Sequence, residues 1–188
     1  QIKDLEELVD QFLSTREDEV RKRTNSVGGD RPENETDVVF AINDKLKKGF
    51  VKHADTRNVF VTEFGIRAKL TEVSKLDDKV ISIGTVELHR LTWIIMAYKN
   101  HTNLGFLLVT SDFTSHAFPT ASVTLVSSKF SEFNYSKTLQ NLKKLNKYCV
   151  CSKFISLKDL FDEKKGFVKG YAIIVDVIVK PSNFPSSS

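Results

Sequence analysis

The chain has 188 residues, a length suited to one domain of ordinary size together with an extension. Hydrophobic residues account for 40% and charged residues for 28%, a balance that excludes a wholly disordered chain, and no apolar run is long enough for a membrane-spanning helix. The net charge of +4 is only mildly basic, so charge alone does not indicate a nucleic-acid or membrane partner.

Residues 2–23 have the pattern of an amphipathic helix. Apolar residues recur at three- and four-residue spacing, with acids and bases on the other face; they are Ile2, Leu5, Leu8, Val9, Phe12 and Leu13. The stretch covers fewer than two heptads, which is too short for an independent coiled coil. We expect this helix either to dock on its own domain or to end a longer oligomerising coil, so self-association through residues 2–23 stays open.

A linker and a second helix are predicted next. Residues 24–37 are rich in turn formers and have almost nothing to bury, which predicts a flexible linker. Residues 37–53 carry apolar residues at roughly helical spacing, namely Val38, Val39, Ile42, Leu46 and Phe50. The lysines of this helix have no stacking aromatic between them, which favours a solvated face over a single-strand-binding surface. Together these segments predict an N-terminal helical extension over residues 1–57.

From Asn58 onward the pattern changes to short strands separated by turn signals, which is typical of an antiparallel β-sandwich. Strands are predicted at 59–73, 80–98, 104–113, 118–128, as a weak pair within 130–149, and at 171–180. Polar and apolar residues alternate clearly in A-S-V-T-L at 121–125, as expected for a strand with one buried face. Residues 157–161 are predicted to form a single helical turn, with 162–170 as its exit loop.

The two-residue spacing of the only cysteines, Cys149 and Cys151, predicts that both are unpaired thiols. A disulfide between residues two apart on one strand would close a strained ring. Two cysteines without a nearby histidine pair do not complete a tetrahedral metal site. We therefore predict no metal, no other cofactor, and a reducing compartment, the cytoplasm or the nucleus.

No motif for catalysis is found in the sequence. It contains no H-E-x-x-H, no G-x-S-x-G, no phosphate-binding glycine loop and no dinucleotide fingerprint. His116 has serine and aspartate neighbours in its own loop, but catalytic triads are not built from near neighbours in sequence. Lysines precede the two thiols without any identifiable base. The prediction is that the chain is not an enzyme.

The closing segment has the most informative order of motifs. An extended K-F-I at 153–155 leads into a short L-K-D-L turn at 157–160, then G-F at 166–167, then a long strand rich in Ile and Val at 171–179. This order resembles the closing segment of the meprin-and-TRAF-homology (MATH) domain.

Upstream segments resemble the same family in the same order. Residues 64–76 are similar to its opening strand, and L-T-W-I-I-M-A-Y at 91–98 to its W-x-I-x-x-Y strand. L-G-F-L-L-V at 104–109 and A-S-V-T-L-V at 121–126 are similar to the two strands that follow. The resemblance covers about residues 60 to 180.

The resemblance implies an eight-stranded antiparallel β-sandwich over residues 58–181, with a disordered tail at 182–188. Domains of this family capture short extended peptides on one sheet face, and they serve as receptor-tail adaptors, as substrate readers in ubiquitin pathways, or as accessory domains of proteases. The implied function is a protein-interaction adaptor in a ubiquitin-related or signalling assembly, with a protein or short peptide as partner and neither nucleic acid nor membrane expected.

The resemblance also implies where a peptide groove would lie. Its residues would be Phe106, Ala121, Val123, Cys149 and Cys151, with Lys147 and Tyr148 at the rim. In the family the groove is floored by aromatics, including W-G-F before the K-F-I strand, where this chain has Cys149-Val150-Cys151. Aromatic side chains supply much of the anchoring area in such sites. We therefore expect either a different ligand or an idle groove with binding on another surface.

Two alternatives from other functional classes stay open. One is a nucleic-acid-associated module that uses the lysines of residues 45–52 and 143–153, whose binding would weaken steeply with salt. The other is a structural domain that assembles through its N-terminal helices.

Overall fold

A computed structural model describes residues 39, 41–42, 44–45, 48, 51–62, 64–75, 80–88, 91–110, 120–141 and 148–180. Over these residues the protein is mainly β. In chain order the strands are β1 (Val51–His53), β2 (Val59–Val61), β3 (Gly65–Thr71), β4 (Val80–Leu88), β5 (Leu91–Lys99), β6 (Asn103–Thr110), β7 (Thr120–Val126), β8 (Tyr135–Thr138), β9 (Gln140–Asn141), β10 (Tyr148–Ser156) and β11 (Ala172–Lys180). Short 3-10 turns lie at Thr56–Asn58, Val73–Lys75 and Ser131–Phe133, and one helical turn, α1, at Leu157–Leu160.

The strands form two sheets that are mostly antiparallel. Sheet A has six strands in the order β1-β4-β5-β6-β10-β9, and sheet B has five in the order β2-β3-β11-β7-β8. Among the described pairs only β1 and β4 run parallel. Because β8 and β9 follow each other in the chain but belong to different sheets, the chain crosses from sheet B to sheet A at residue 139.

The inner faces of the two sheets share one apolar core, so the architecture is sandwich-like. Strands β7 and β11 alternate buried and exposed residues, which is the period-two pattern of strands with one face inward. Core residues from sheet A include Trp93, Ile95, Phe106, Leu108, Cys149 and Phe154, and those from sheet B include Ile66, Ala68, Val123, Leu125, Val175 and Val177.

The outer face of sheet A is also apolar, and helical residues cover part of it. Residues 39, 41–42 and 44–45 are helical. Val39 and Ile42 pack in a second cluster with sheet residues Val80, Ile94, Met96, Leu107, Val109, Tyr148 and Val150. Lys45 places its Nζ 4.8 Å from the ring centroid of Tyr98. Covering on both faces explains why seven of the eight residues of β6 are buried.

Replacing Ile42 with alanine is expected to lower the free energy of unfolding by about 2 kcal/mol, because the truncated side chain leaves a void above the outer face of sheet A. Chemical denaturation of the two proteins would measure it. The control is Asp44→Ala on the same segment, where the Asp44–Lys48 ion pair is 61% exposed on both sides, and a change within about 0.5 kcal/mol is expected. Equal effects of the two substitutions would contradict packing of Ile42 against the sheet.

The helical turn α1 is capped by its own sequence. The Ser156 hydroxyl accepts a hydrogen bond from the Asp159 amide at 3.1 Å, as an N-cap residue does. The Asp159 carboxylate accepts a hydrogen bond from Lys165 Nζ at 2.6 Å and another from Ser156 Oγ at 2.9 Å. These two hydrogen bonds, led by that from Lys165, hold the pKa of Asp159 below its usual range. The predicted turn at 157–161 is therefore confirmed.

The structure confirms the predicted fold in its coarse form, two antiparallel-rich sheets, and corrects several details. The predicted strand 59–73 is a hairpin of β2 and β3, closed by a hydrogen bond from the Thr62 amide to Gly65 O at 2.8 Å. The predicted strand 80–98 is likewise two strands, β4 and β5.

The N-terminal predictions are tested only in part. The helix predicted over 37–53 is wrong at its end, since Val51–His53 pair with β4 as a strand. Sheet A therefore begins before the predicted domain boundary at residue 58. The helix at 2–23, the linker at 24–37 and the tail at 182–188 lie outside the described residues, so self-association through 2–23 stays a prediction. Among the described residues no helix is both long and apolar enough to cross a membrane.

Candidate functional site

Strand β8 is an edge strand of sheet B, and its outer edge presents backbone hydrogen-bonding groups. The Leu139 amide donates to Ala121 O at 2.8 Å, which continues the register that pairs Lys137 with Val123. Antiparallel pairs alternate between those that exchange backbone hydrogen bonds and those that do not. Tyr135 and Lys137 are therefore the residues of β8 that exchange backbone hydrogen bonds with β7. Ser136 and Thr138 point their amides and carbonyls away from β7.

Strand β10 of sheet A approaches this edge. Its neighbour β9 pairs with it only at Cys149 and Val150, and its pairing with β6 shifts register between Cys151 and Ile155. At the shift the β10 backbone passes over Gly105, where a Cβ atom would lie 2.6 Å from Ser152 O. Only glycine allows that close approach.

One side chain bridges the two sheets at this point. Lys137 of β8 donates from Nζ to the carbonyl oxygen of Lys153 in β10 at 3.1 Å. The same Nζ lies 5.4 Å from the centroid of the Tyr135 ring. We call the region formed by Tyr135–Thr138 and Lys153–Phe154 the β8–β10 seam. It brings together two sheet edges that no described strand covers at these positions.

Aromatic side chains form the floor of the β8–β10 seam. The ring of Phe154 is fully buried and meets Phe106 edge to face, with centroids 5.0 Å apart. On its other side it meets Tyr135 at 5.4 Å, also edge to face. Tyr135 is only partly buried, so this row of three rings runs from the core to the surface. Edge-to-face pairs add rigidity and binding area beneath a surface site.

An ordered loop next to β8 exposes two further aromatic rings. Phe130 is 60% exposed and Phe133 42% exposed, and their rings pack edge to face at 5.7 Å. The loop is held in place by two serine hydroxyls: Ser127 Oγ donates to Lys165 O at 2.7 Å, and Ser128 Oγ to Gly166 O at 2.8 Å. Two exposed phenylalanines on a hydrogen-bonded loop are a feature of interaction surfaces.

The structure places the residues predicted for the groove mainly inside the core. Phe106, Ala121, Val123 and Cys149 have 2%, 0%, 0% and 1% of their surface exposed and belong to the inter-sheet cluster. Their side chains fill the space between the sheets, and their role in peptide binding stays a prediction. They lie beneath the β8–β10 seam rather than on it.

The remaining three predicted residues are separated from one another. Cys151 is partly buried and packs against the inter-sheet core. Tyr148, predicted at the rim, is 2% exposed and belongs to the cluster on the opposite face of sheet A. Lys147 lies outside the described residues.

Neither cysteine is joined in a disulfide, as the sequence predicts. Burial raises the pKa of the Cys149 thiol to about 12, so this thiol is protonated at neutral pH. A protonated, buried thiol is a poor nucleophile. Within the described part of the chain, no group of three or more His, Cys, Asp and Glu residues is placed to hold a metal ion.

A second concave feature lies between β1 and β3, away from the β8–β10 seam. It is a cavity of about 140 Å³ whose lining includes Lys52, His53, Asp55 and Lys69. His53 Nδ1 and the Ser82 hydroxyl form a hydrogen bond of 2.5 Å beside it.

Sequence reasoning missed the seam residues Tyr135, Ser136, Lys137 and Phe154. Their segments were predicted only as a weak strand pair and as a family motif. The alternation of Y-S-K-T at 135–138 was a usable signal, since Tyr135 and Lys137 face one side and Ser136 and Thr138 the other. Which strand edges stay uncovered depends on the order of strands in the sheets, and the local sequence does not contain that order.

No protein-family model matches this chain, and no curated protein matches it significantly.

Proposed function

We propose that this protein is an interaction adaptor that captures an extended segment of a partner protein at the β8–β10 seam. In this proposal the two sheets are a MATH-type β-sandwich, and the domain serves as a substrate reader or scaffold in a ubiquitin-related or signalling assembly of the cytoplasm or nucleus. The proposal needs no cofactor and no catalytic step.

One observation carries the proposal: the outward backbone groups of Ser136 and Thr138 stand above a floor of aromatic rings. An extended peptide adds to such an edge through main-chain hydrogen bonds, and nearby pockets select its side chains. The mainly β architecture of two antiparallel-rich sheets is compatible with the MATH-type assignment that the sequence resemblance implies.

The edge also has a feature that limits unspecific pairing. Lys137 turns its charged side chain inward across the gap between the sheets, toward Lys153 O. An inward-pointing charge on an edge strand discourages edge-to-edge association between copies. A peptide ligand therefore has to satisfy this ammonium group as well as the backbone of β8.

Ser136→Pro is expected to weaken peptide capture at least about tenfold, because proline removes the outward amide donor and adds a ring at the edge. The ladder to β7 is preserved, since the amide of Ser136 does not point toward that strand. The experiment selects short random peptides by display on the 188-residue chain and measures the affinity of the selected peptides for each variant.

Ser136→Ala is the matched control. It removes the Ser136 hydroxyl, which is hydrogen-bonded to the Thr124 hydroxyl at 2.5 Å, but keeps the backbone amide. It should therefore bind the selected peptides almost as well as the original chain. Peptides that bind all three proteins equally would show that capture occurs elsewhere and would overturn the proposal.

A further inference from the structure

The positive charge of this chain is concentrated in the stretch of sequence that contains β8 and β10. Between the end of β7 and the start of α1, residues 127–156 contain six lysines and one glutamate, with no arginine, histidine or aspartate. This segment therefore carries a net charge of +5, so the rest of the chain, whose total is +4, sums to −1. The mildly basic character of the chain is thus a local property of the segment that builds the seam.

At the seam itself the cations have no acidic partner among the described residues. Lys137 donates to a backbone carbonyl and lies over an aromatic ring, and Lys153 is exposed. Some cations elsewhere in the described part are paired with carboxylates, such as Arg67 with Asp176 at 2.6 Å and Lys165 with Asp159 at 2.6 Å. The two seam lysines have no such partner, so their charge is available to a ligand.

We infer that the captured segment is an acidic peptide, one with aspartate or glutamate side chains facing Lys137 and Lys153. The inference rests on the proposed function, because it names the ligand of the same seam. Lysines without an acidic partner beside a sheet edge attract a polyanionic chain and set its register once the backbone has paired. The exposed rings of Phe130 and Phe133, which precede β8 in the chain, offer an apolar contact at one end of the same strand.

The backbone of the edge favours a polypeptide over a nucleic acid. Ser136 and Thr138 present amide donors and carbonyl acceptors, which match the alternating groups of another extended polypeptide. A phosphate backbone offers only acceptors, so the edge carbonyls would face negative oxygens without a hydrogen bond. The positive charge would attract either ligand, but only a peptide can form hydrogen bonds with both the amides and the carbonyls of the edge.

The test uses the same display selection with Asp, Glu, Lys and Arg encoded at equal frequency. We expect the selected peptides to be enriched in Asp and Glu. The double variant Lys137→Gln with Lys153→Gln should bind them about fivefold more weakly at about 50 mM NaCl, with a smaller difference at about 300 mM because salt screens exposed charges. In the Lys153→Gln background, Lys137→Arg should bind the selected peptides more tightly than Lys137→Gln, because arginine keeps the positive charge.

The control for net charge is Lys180→Gln, an exposed lysine at the end of β11, which strand β7 separates from β8, and it should leave the affinity unchanged. Selected peptides that are neutral or basic, yet lose binding with Ser136→Pro, would overturn this inference and leave the proposed function standing. Absence of any peptide whose binding depends on Ser136, together with tight binding of oligothymidylate, would overturn both.

Discussion

Replacing Gly65 with alanine is expected to lower the free energy of unfolding by about 3–5 kcal/mol and the melting temperature by at least about 6 °C. A Cβ atom at this position would lie 1.7 Å from Val177 O and 2.8 Å from the Val177 carbonyl carbon. Both atoms belong to the backbone of β11, the central strand of sheet B, so no side-chain rotation relieves the clash.

Relief of this clash requires β3 to move away from β11. Two backbone hydrogen bonds hold this end of β3: the Val179 amide donates to Phe64 O at 2.7 Å, and the Thr62 amide donates to Gly65 O at 2.8 Å. Moving β3 away from β11 breaks hydrogen bonds of this kind. The result is lost pairing in addition to strain. Thermal and chemical unfolding followed by circular dichroism would measure the effect.

Gly84→Ala provides the matched control. At Gly84 the nearest atoms to an added Cβ are the Ile66 side-chain methyl at 3.3 Å and a Val59 methyl at 3.5 Å, and both can adjust. We expect a change of at most about 1 kcal/mol. Similar losses for the two alanine variants would contradict the close approach of β3 to β11.

The strands with one solvated face were the part of the fold that sequence could predict. Polar and apolar residues alternate at 121–125, and the structure buries Ala121, Val123 and Leu125 while the residues between them are only partly buried. The helical turn at 157–161 was predictable because Ser156 and Asp159 form a local cap. Signals of this kind depend on neighbours in sequence, so no long-range information is needed.

The same alternation explains why residues predicted for the groove are buried. The motifs placed Ala121 and Val123 on the right strand, but the apolar face of an alternating strand is the one that packs in the core. For Phe106 no face could be assigned from sequence, because β6 is apolar almost throughout and is covered on both sides. The sequence pattern located the strands and did not specify which side chains reach the surface.

The β8–β10 seam depends on distant parts of the chain. Lys137 and Lys153 are 16 residues apart and lie in different sheets, and their contact exists only once both sheets are paired and packed. Likewise β1 has only three residues, and its strand character comes from pairing with β4 rather than from its own composition. Tertiary pairing decides such short segments.

Replacing Phe154 with alanine is expected to lower the free energy of unfolding by about 3–5 kcal/mol, because the ring is fully buried and its removal leaves a cavity between the sheets. The loss includes two edge-to-face contacts, with Phe106 at 5.0 Å and Tyr135 at 5.4 Å. Chemical denaturation would measure it, and Phe154→Leu should recover more than half of the loss by refilling the cavity.

A binding measurement on Phe154→Leu distinguishes the contribution of Phe154 to peptide capture from its contribution to the stability of the core. Phe154 supports Tyr135, whose neighbours Ser136 and Lys137 hold the proposed peptide, so Phe154→Leu should weaken peptide capture even under conditions where the variant is fully folded. Phe60→Ala is the control: Phe60 is 61% exposed on sheet B, and its loss should change the free energy of unfolding by no more than about 0.5 kcal/mol and leave capture intact. If folded Phe154→Leu captures peptides normally, the aromatic row contributes to stability alone, and the backbone edge of β8 must select its ligand without it.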